Sequence, residues 1–236
     1  MELAQIVERG ALELGVEMPP ATGALFETYY AFLEQKRKNV NLTAIVGAED
    51  TARLHFLDSL ALLRVADFNN AHIVDIGSGA GFPGVPLKLA VPSISLTLLD
   101  ATNKRVAFLT ELCTELGIDA ACIHARAEES ARSTEMRGRF DIAASRAVAR
   151  LNVLCELCLP FLRKGGVFLA MKGTDSDEEL KEAYSAIHIL GAEPEDISDY
   201  AIPGTEIIHR VITIRKTSTT PEAYPRRFSK IQKSPL

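Results

Sequence analysis

The chain has 236 residues, of which 47% are hydrophobic and 24% charged, and a formal net charge of −5. That is a globular composition, long enough for one large domain or a domain with an appendage, and it excludes a protein that is basic all over. No apolar run is long enough to span a membrane, and the start, MELAQIVERG, lacks the zones of a secretory signal, so a cytoplasmic protein with reduced cysteines is expected.

Up to about Asn70 the pattern is helical. Leu25, Tyr29, Phe32 and Leu33 recur at helical spacing, and so do Leu54, Leu57, Leu60, Ala61 and Leu63. The linker NVNLTAI lies between them. From Ala71 the texture changes to alternating units. HIVDIG reads as a strand, PGVPLKLAV as a helix with Pro83 near its start, and ISLTLLD as a strand ending at Asp100. The helix NKRVAFLTELCTELG, the strand ACIHA and the strand RFDIAASR follow. LNVLCELCLPFLRKGG reads as a helix ending in two glycines, VFLAMKG as a strand and SDEELKEAYSAIHILGA as a helix. IIHRVITIRK is a late strand, paired in a hairpin with residues near Tyr200. Strands alternating with helices predict an α/β fold whose largely parallel sheet is covered on both faces. The expected organisation is a helical extension over 1–70, a core over 71–216 and a basic, loosely packed tail over 217–236.

Cys155 and Cys158 form a C-x-x-C, but inside a leucine-rich helical pattern with no second pair or histidine set at zinc spacing, so no metal is expected. The informative stretch is VDIGSGAGFPGVPLKLA. Its glycines leave the first core strand, at the sheet edge where ligands bind in open parallel sheets. Gly77, Gly79 and Gly81 let the backbone turn tightly and lie against a ligand. Asp100, at the end of the next strand, is spaced to accept hydrogen bonds from ribose hydroxyls. Glu128 follows the third strand, where the neighbouring backbone faces an adenine. The third glycine comes one residue earlier than in the dinucleotide pattern, and Asp75 stands just before the loop. An acid there sits poorly beside a pyrophosphate and suits a ligand with a cationic amine. S-adenosylmethionine has that amine and no phosphate, which points to methyl transfer.

The stretches NVNLTAI, HFLDSLAL, VDIGSGAGFPGVPLKLA, LLDATNKRVAFL, HARAEE, FDIAASRAVARL and GGVFLAMKG together closely resemble the small-subunit ribosomal RNA methyltransferase G family, also called glucose-inhibited division protein B. The resemblance covers essentially the whole chain. It implies a Rossmann-like class I methyltransferase fold with an N-terminal helical extension. The implied activity is methyl transfer from S-adenosylmethionine to N7 of a guanine in 16S rRNA. On matching positions, the resemblance implies cofactor contacts at Gly77, Gly79, Gly81, Phe82, Asp100, Ala101, Thr102, Ala127, Glu128 and Arg146. His55, Asp58 and Ser59 match its H-x-x-D-S signature, and Asn41 and Thr43 its N-L-T signature. Family members often carry Gly-x-Pro within the basic terminal segment, where this chain has YPRRFSKIQKSPL.

His55, Asp58 and Arg146 are the candidate catalytic residues. His55 and Asp58 share a helix face at i, i+3, which suits either the entrance for a target base or an ordinary polar pair. Arg146 ends a strand at the ligand edge and offers planar donors to a carboxylate, a phosphate or a base edge. Lys172, at another strand end, suits a phosphate contact or plain solvation. Guanine N7 has a lone pair and no hydrogen, so no dedicated general base is required. The expected partner is 16S rRNA, in the small ribosomal subunit or an assembly intermediate. It is bound by a monomer through IRK, PRRF and KIQK near the C-terminus, with EQKRKN as a second patch. No DNA or membrane partner is expected.

Overall fold

The computed structural model describes residues 2–37, 40, 42–146 and 149–236. Helices α1 (Leu3–Glu13) and α2 (Thr22–Lys36) come first. A composite helix follows, made of α3 (Ala48–Thr51), a π-helical turn (Ala52–Leu57), α4 (Asp58–Leu60) and a 3-10 turn (Ala61–Arg64). Alternating units then run through β1 (His72–Ile76), α5 (Gly84–Ala90), β2 (Ser95–Asp100), α6 (Asn103–Glu115) and β3 (Ala120–His124). They continue through α7 (Ala127–Ser130), β4 (Phe140–Arg146), α8 (Leu151–Cys158), β5 (Leu162–Gly173) and α9 (Asp177–Ile189). The chain closes with β6 (Ala192–Ala201), β7 (Ile208–Lys216) and α10 (Phe228–Lys233).

The strands form one seven-stranded sheet of order β3-β2-β1-β4-β5-β7-β6. β7 runs antiparallel to β5 and β6, and the other pairings are parallel. Tyr200 pairs with His209, so the late strand does form the expected hairpin near Tyr200. Strand order reverses between β1 and β4, which opens a crevice at their carboxyl ends.

Successive strand residues feed opposite cores, as the two-residue period requires. Ile73, Ile142, Leu169 and Val211 face one side with Phe26, Tyr29, Phe56 and Leu109. Val74, Ala143, Ala170 and Ile212 face the other with Leu154, Phe161, Ile187 and Ile231. The N-terminal helices therefore share a core with one face of the sheet.

Two expectations change. The helix read as running to Gly165 and Gly166 stops at Cys158. Pro160 has no N–H to extend it, so the chain makes a 3-10 turn, Leu159–Phe161, and enters β5 at Leu162. Gly166 lies inside that strand, where a Cβ would stand 2.8 Å from the Asp141 carbonyl oxygen. The tail over 217–236, expected to pack loosely, is held in place. Arg132 donates to the Pro225 carbonyl at 2.9 Å and Arg137 to the Thr220 carbonyl at 2.8 Å. Arg226 forks onto the buried Glu156 carboxylate at 2.6 Å, and Ile231 is fully buried. Composition signalled solvation, but buried Glu156 needs a cation and the tail supplies it.

Candidate active site

The glycine loop is pinned to the end of β2. The Gly77 N–H donates to the Leu99 carbonyl at 2.8 Å, and the Leu99 N–H donates to Ser78 Oγ at 3.1 Å. Ser78 Oγ in turn donates to the Asp75 carbonyl at 2.8 Å. Gly77, Gly79 and Gly81 have φ of 74°, 58° and 102°, the left-handed region where a side chain is strained. Two of them have distinct jobs. A Cβ on Gly79 would meet nothing nearer than the Gly77 carbonyl oxygen at 3.8 Å, so the loop's open side lies there. A Cβ on Gly81 would lie 2.6 Å from the Tyr29 hydroxyl, so this glycine admits α2. Tyr29 then donates to the Ala80 carbonyl at 2.6 Å and its ring stacks on Phe82.

The loop borders a cavity of about 450 Å³, a size typical of small-molecule sites. Of the predicted residues, Gly77, Gly79, Phe82, Asp100, Ala101, Thr102, His55 and Arg146 line it. Ser78 and Arg105 line it too and were not singled out in the sequence. Asp100 accepts from the Gly79 N–H at 3.0 Å and the Thr102 N–H at 2.8 Å, which fixes its carboxylate at the cavity's edge. Gly81 sits behind the loop. Ala127 and Glu128 open α7, and Glu128 lines a separate groove with Arg126, Arg132 and Arg226.

Asp75 does not reach the cavity wall. It is fully buried, and Oδ2 accepts from the Gly84 N–H at 2.8 Å. Burial pushes its carboxyl up to about 7, against the lowering pull of that bond and of Arg146. The amine contact read from the sequence is therefore replaced by a structural one, with the carboxylate closing the start of α5. This also answers the pyrophosphate question. Pro83 has no N–H, and the Gly84 N–H is already taken, so the anion-binding donors of a dinucleotide loop are absent here.

Beside the loop lies a polar cluster. Arg146 donates through Nη1 to Asp58 Oδ2 at 3.1 Å and to the Leu54 carbonyl at 3.3 Å, and through Nη2 to His55 Nδ1 at 2.9 Å. His55 Nδ1 must therefore accept, which leaves Nε2–H to donate to Thr43 Oγ1 at 2.6 Å. Burial first, then the Arg146 charge, pushes the His55 pKa down to about 3, so the ring is neutral. It stacks on Phe82 at 4.4 Å, and the Arg146 guanidinium lies 4.9 Å from the same ring. The π-helical turn places His55 here, in keeping with the occurrence of such turns at functional sites.

Asp58 is the hub. Oδ1 accepts from the Tyr200 hydroxyl and from His209 Nδ1, both at 2.7 Å. Burial alone would raise its pKa. The His209 bond, the Arg146 charge and the Tyr200 bond outweigh burial and hold it below the usual carboxylate range. A second cavity of about 400 Å³ adjoins the first through shared His55 and Arg146, and is further lined by Asp58, Lys172, Met171 and His209. Tyr200 and His209 were not read as site residues. They stand 142 and 151 positions from Asp58, a separation that no local spacing reports.

The basic residues are mostly engaged. Lys172 bonds Glu179 and the Ala149 carbonyl, Arg215 pairs with Glu195, and Lys216 is buried on the Leu190 carbonyl. Arg227, Lys230 and Lys233 are exposed. In the second patch Lys36 pairs with Glu111 and Arg37 with Glu34. Lys38, Asn39 and Asn41 lie outside the described residues. Cys155 and Cys158 are buried thiols whose pKa values burial raises. Among the described residues no group of three or more His, Cys, Asp or Glu is set to hold a metal, and no helix is long and apolar enough to cross a membrane.

A fixed carboxylate for a ribose, an open glycine face and no phosphate cradle fit S-adenosylmethionine. With β7 reversed in an otherwise parallel sheet, they define a class I S-adenosylmethionine-dependent methyltransferase. Two solved structures share the fold: a candidate transferase from Pyrococcus horikoshii and a candidate methyltransferase from Bacillus halodurans. The first has a TM-score of 0.56 at 11% identity, over 75% of this chain and 66% of that one. The second has a TM-score of 0.53 at 13% identity, over 68% of this chain and 99% of that one.

The model of the family rRNA small subunit methyltransferase G matches residues 23–208. The ribosomal RNA small subunit methyltransferase G of Alkaliphilus oremlandii is 42% identical, with 100% of both chains covered. That of Pelotomaculum thermopropionicum is 41% identical over 99% of each chain. The chain belongs to the rRNA small subunit methyltransferase G family.

Proposed function

We propose that the protein transfers a methyl group from S-adenosylmethionine to N7 of a specific guanine in 16S rRNA, acting as a monomer on the small ribosomal subunit or an assembly intermediate. The observation that carries this reading is the pair of cavities meeting at His55 and Arg146. One fits the cofactor, and the other has room for a base extruded from the RNA.

S-adenosylmethionine, when bound, supplies an electrophilic methyl group on a cationic sulfur. Gly77 and Gly79 lay backbone against it, and Asp100 accepts from its ribose. Ala101 and Thr102 border the same cavity, whereas Ala127 and Glu128 lie outside its lining, so the adenine contact expected of them is not part of this reading. Phe82, packed against Tyr29, His55 and Arg146, is a rigid apolar wall of the cofactor cavity beside the residues the two cavities share. N7 needs no deprotonation. That matches His55, a neutral ring with both nitrogens committed to protein partners. Catalysis here is alignment and electrostatics.

The test is methyl transfer from labelled S-adenosylmethionine to small subunits lacking the modification, with the modified base mapped by mass spectrometry. Label at one guanine N7 is expected. Label elsewhere, or none while the cofactor binds, overturns the reading.

A further inference from the structure

We propose that His209, on β7, reads the target guanine: Nε2 accepts a hydrogen bond from the base's N1–H and N2–H edge in the second cavity, while Asp58 holds the ring from behind. The inference rests on the reading above and adds to it the residue that recognises the base.

The geometry is that of an oriented imidazole. His209 Nδ1 lies 2.7 Å from Asp58 Oδ1, and Asp58, held as a carboxylate, can only accept. Nδ1 therefore carries the proton, and in the neutral ring Nε2 is left as a lone-pair acceptor. The ring borders the second cavity, and its side chain is 35% exposed. Its orientation is fixed from several elements. Tyr200 on β6 meets the ring edge-on at 6.3 Å and donates to the same Asp58 oxygen. Arg146 on β4 occupies the other Asp58 oxygen. One buried carboxylate is thus clamped by donors from three strands, β4, β6 and β7, which fixes the His209 ring against it.

The chemistry matches the base. Guanine offers N7 on one edge and two donors, N1–H and N2–H, on the opposite edge, and extruded bases are read on that second edge. Adenine has an acceptor at N1, so an acceptor at Nε2 favours guanine. As N7 takes the methyl, the purine becomes cationic and N1–H more acidic. The bond to Nε2 therefore strengthens toward the transition state, the condition for raising the rate rather than only binding.

The acceptor exists only while His209 is neutral. The Asp58 bond raises its pKa above 6.5. The charged and titratable groups around it are Asp58, Tyr200, Arg146, His55 and Lys172. His55 stays neutral down to about 3, and Asp58 stays ionised. Methyl transfer should thus fall as pH drops through the His209 pKa. Asp75, pushed up to about 7, is a second buried group that changes charge within the pH span tested, and it lies behind the loop, so a variant is needed to separate the two.

The experiment is single-turnover methyl transfer to unmodified small subunits from about pH 5.5 to 9, for wild type, His209→Ala and His209→Gln, with S-adenosylmethionine affinity measured in parallel. His209→Ala should bind cofactor as wild type does and react about 10- to 100-fold more slowly, the effect of one buried hydrogen bond. His209→Gln puts an uncharged acceptor near the Nε2 position. It should recover part of the rate and lose the acid limb that wild type shows. An Ala variant at the wild-type rate, or an acid limb unchanged in the Gln variant, overturns the proposal. Weakened cofactor binding in both variants would assign His209 to holding the fold instead, which also overturns it. Wild type that transfers nothing overturns the methyltransferase substrate reading itself.

Discussion

At the residue scale, backbone freedom and burial separate roles that look alike in the sequence. Gly79→Val puts a β-branched side chain at φ 58° with open space around its Cβ. Strain costs about 1–2 kcal/mol, which a core of this size tolerates, while the side chain enters the cofactor cavity. The variant should fold and lose S-adenosylmethionine binding by calorimetric titration, and normal binding would refute the loop's role. Asp75 makes the opposite case. Its carboxyl is pushed up to about 7 in the folded chain, against about 3.9 when unfolded. Between those values the unfolded chain has released a proton that the native one keeps, so stability falls as pH rises from about 4 to about 7 and then levels off. Asp75→Asn keeps the acceptor for Gly84 without the buried charge. Its melting temperature should match or exceed wild type at pH 8 and differ less at pH 5; a melting temperature at pH 8 well below wild type would mean the charge is needed. The glycines and Asp100 were legible because their spacing is local and directly encodes the turn and strand end. Asp75's burial was not, because a single acid before a loop reads the same whether it faces a ligand or Gly84.

At the element scale, the sequence misleads where polar segments find specific partners. The tail reads as solvated because it is rich in Pro, Ser, Thr, Lys and Arg, yet Arg226 makes a bidentate pair with Glu156, which is 1% exposed. Arg226→Ala would leave that carboxylate buried and unpaired, at a cost of about 3–5 kcal/mol. Glu156→Gln with Arg226→Ala removes the buried charge as well as its partner. The double variant should be more stable than the single in urea titration, and equal losses would show that the pair carries no buried charge. The helix ending at Cys158 was misread for a related reason: Gly165 and Gly166 resemble a C-terminal stop, but Pro160 had already ended the helix. The H-x-x-D-S helix was legible as a helix. Its π turn carries His55, which stacks on Phe82 and bonds Arg146 and Thr43, partners that the helix's own residues do not announce.

At the scale of the whole molecule, the question is whether the helical extension over 1–70 is a unit of its own. The packing argues against independence. Phe26, Tyr29 and Phe56 are fully buried, and Phe56 and Tyr29 lie against Phe82 of the cofactor loop at 5.9 and 5.4 Å. Each such ring is worth about 1.5–3 kcal/mol on burial, comparable to the net stability of a domain when several are summed. Arg146 and Asp58 add a polar seam across the same boundary, and Tyr200 and His209 bind it to the far edge of the sheet. Removing the extension would uncover one face of the sheet and unpair the Arg146 cluster together. The full chain should therefore melt in one calorimetric transition whose measured and van't Hoff enthalpies agree. A chain beginning at Ala71 should bind a hydrophobic dye and no cofactor. Two resolved transitions, or a truncated chain that binds S-adenosylmethionine, would make the extension a separate module and leave the substrate cavity, not the cofactor cavity, as the part it completes.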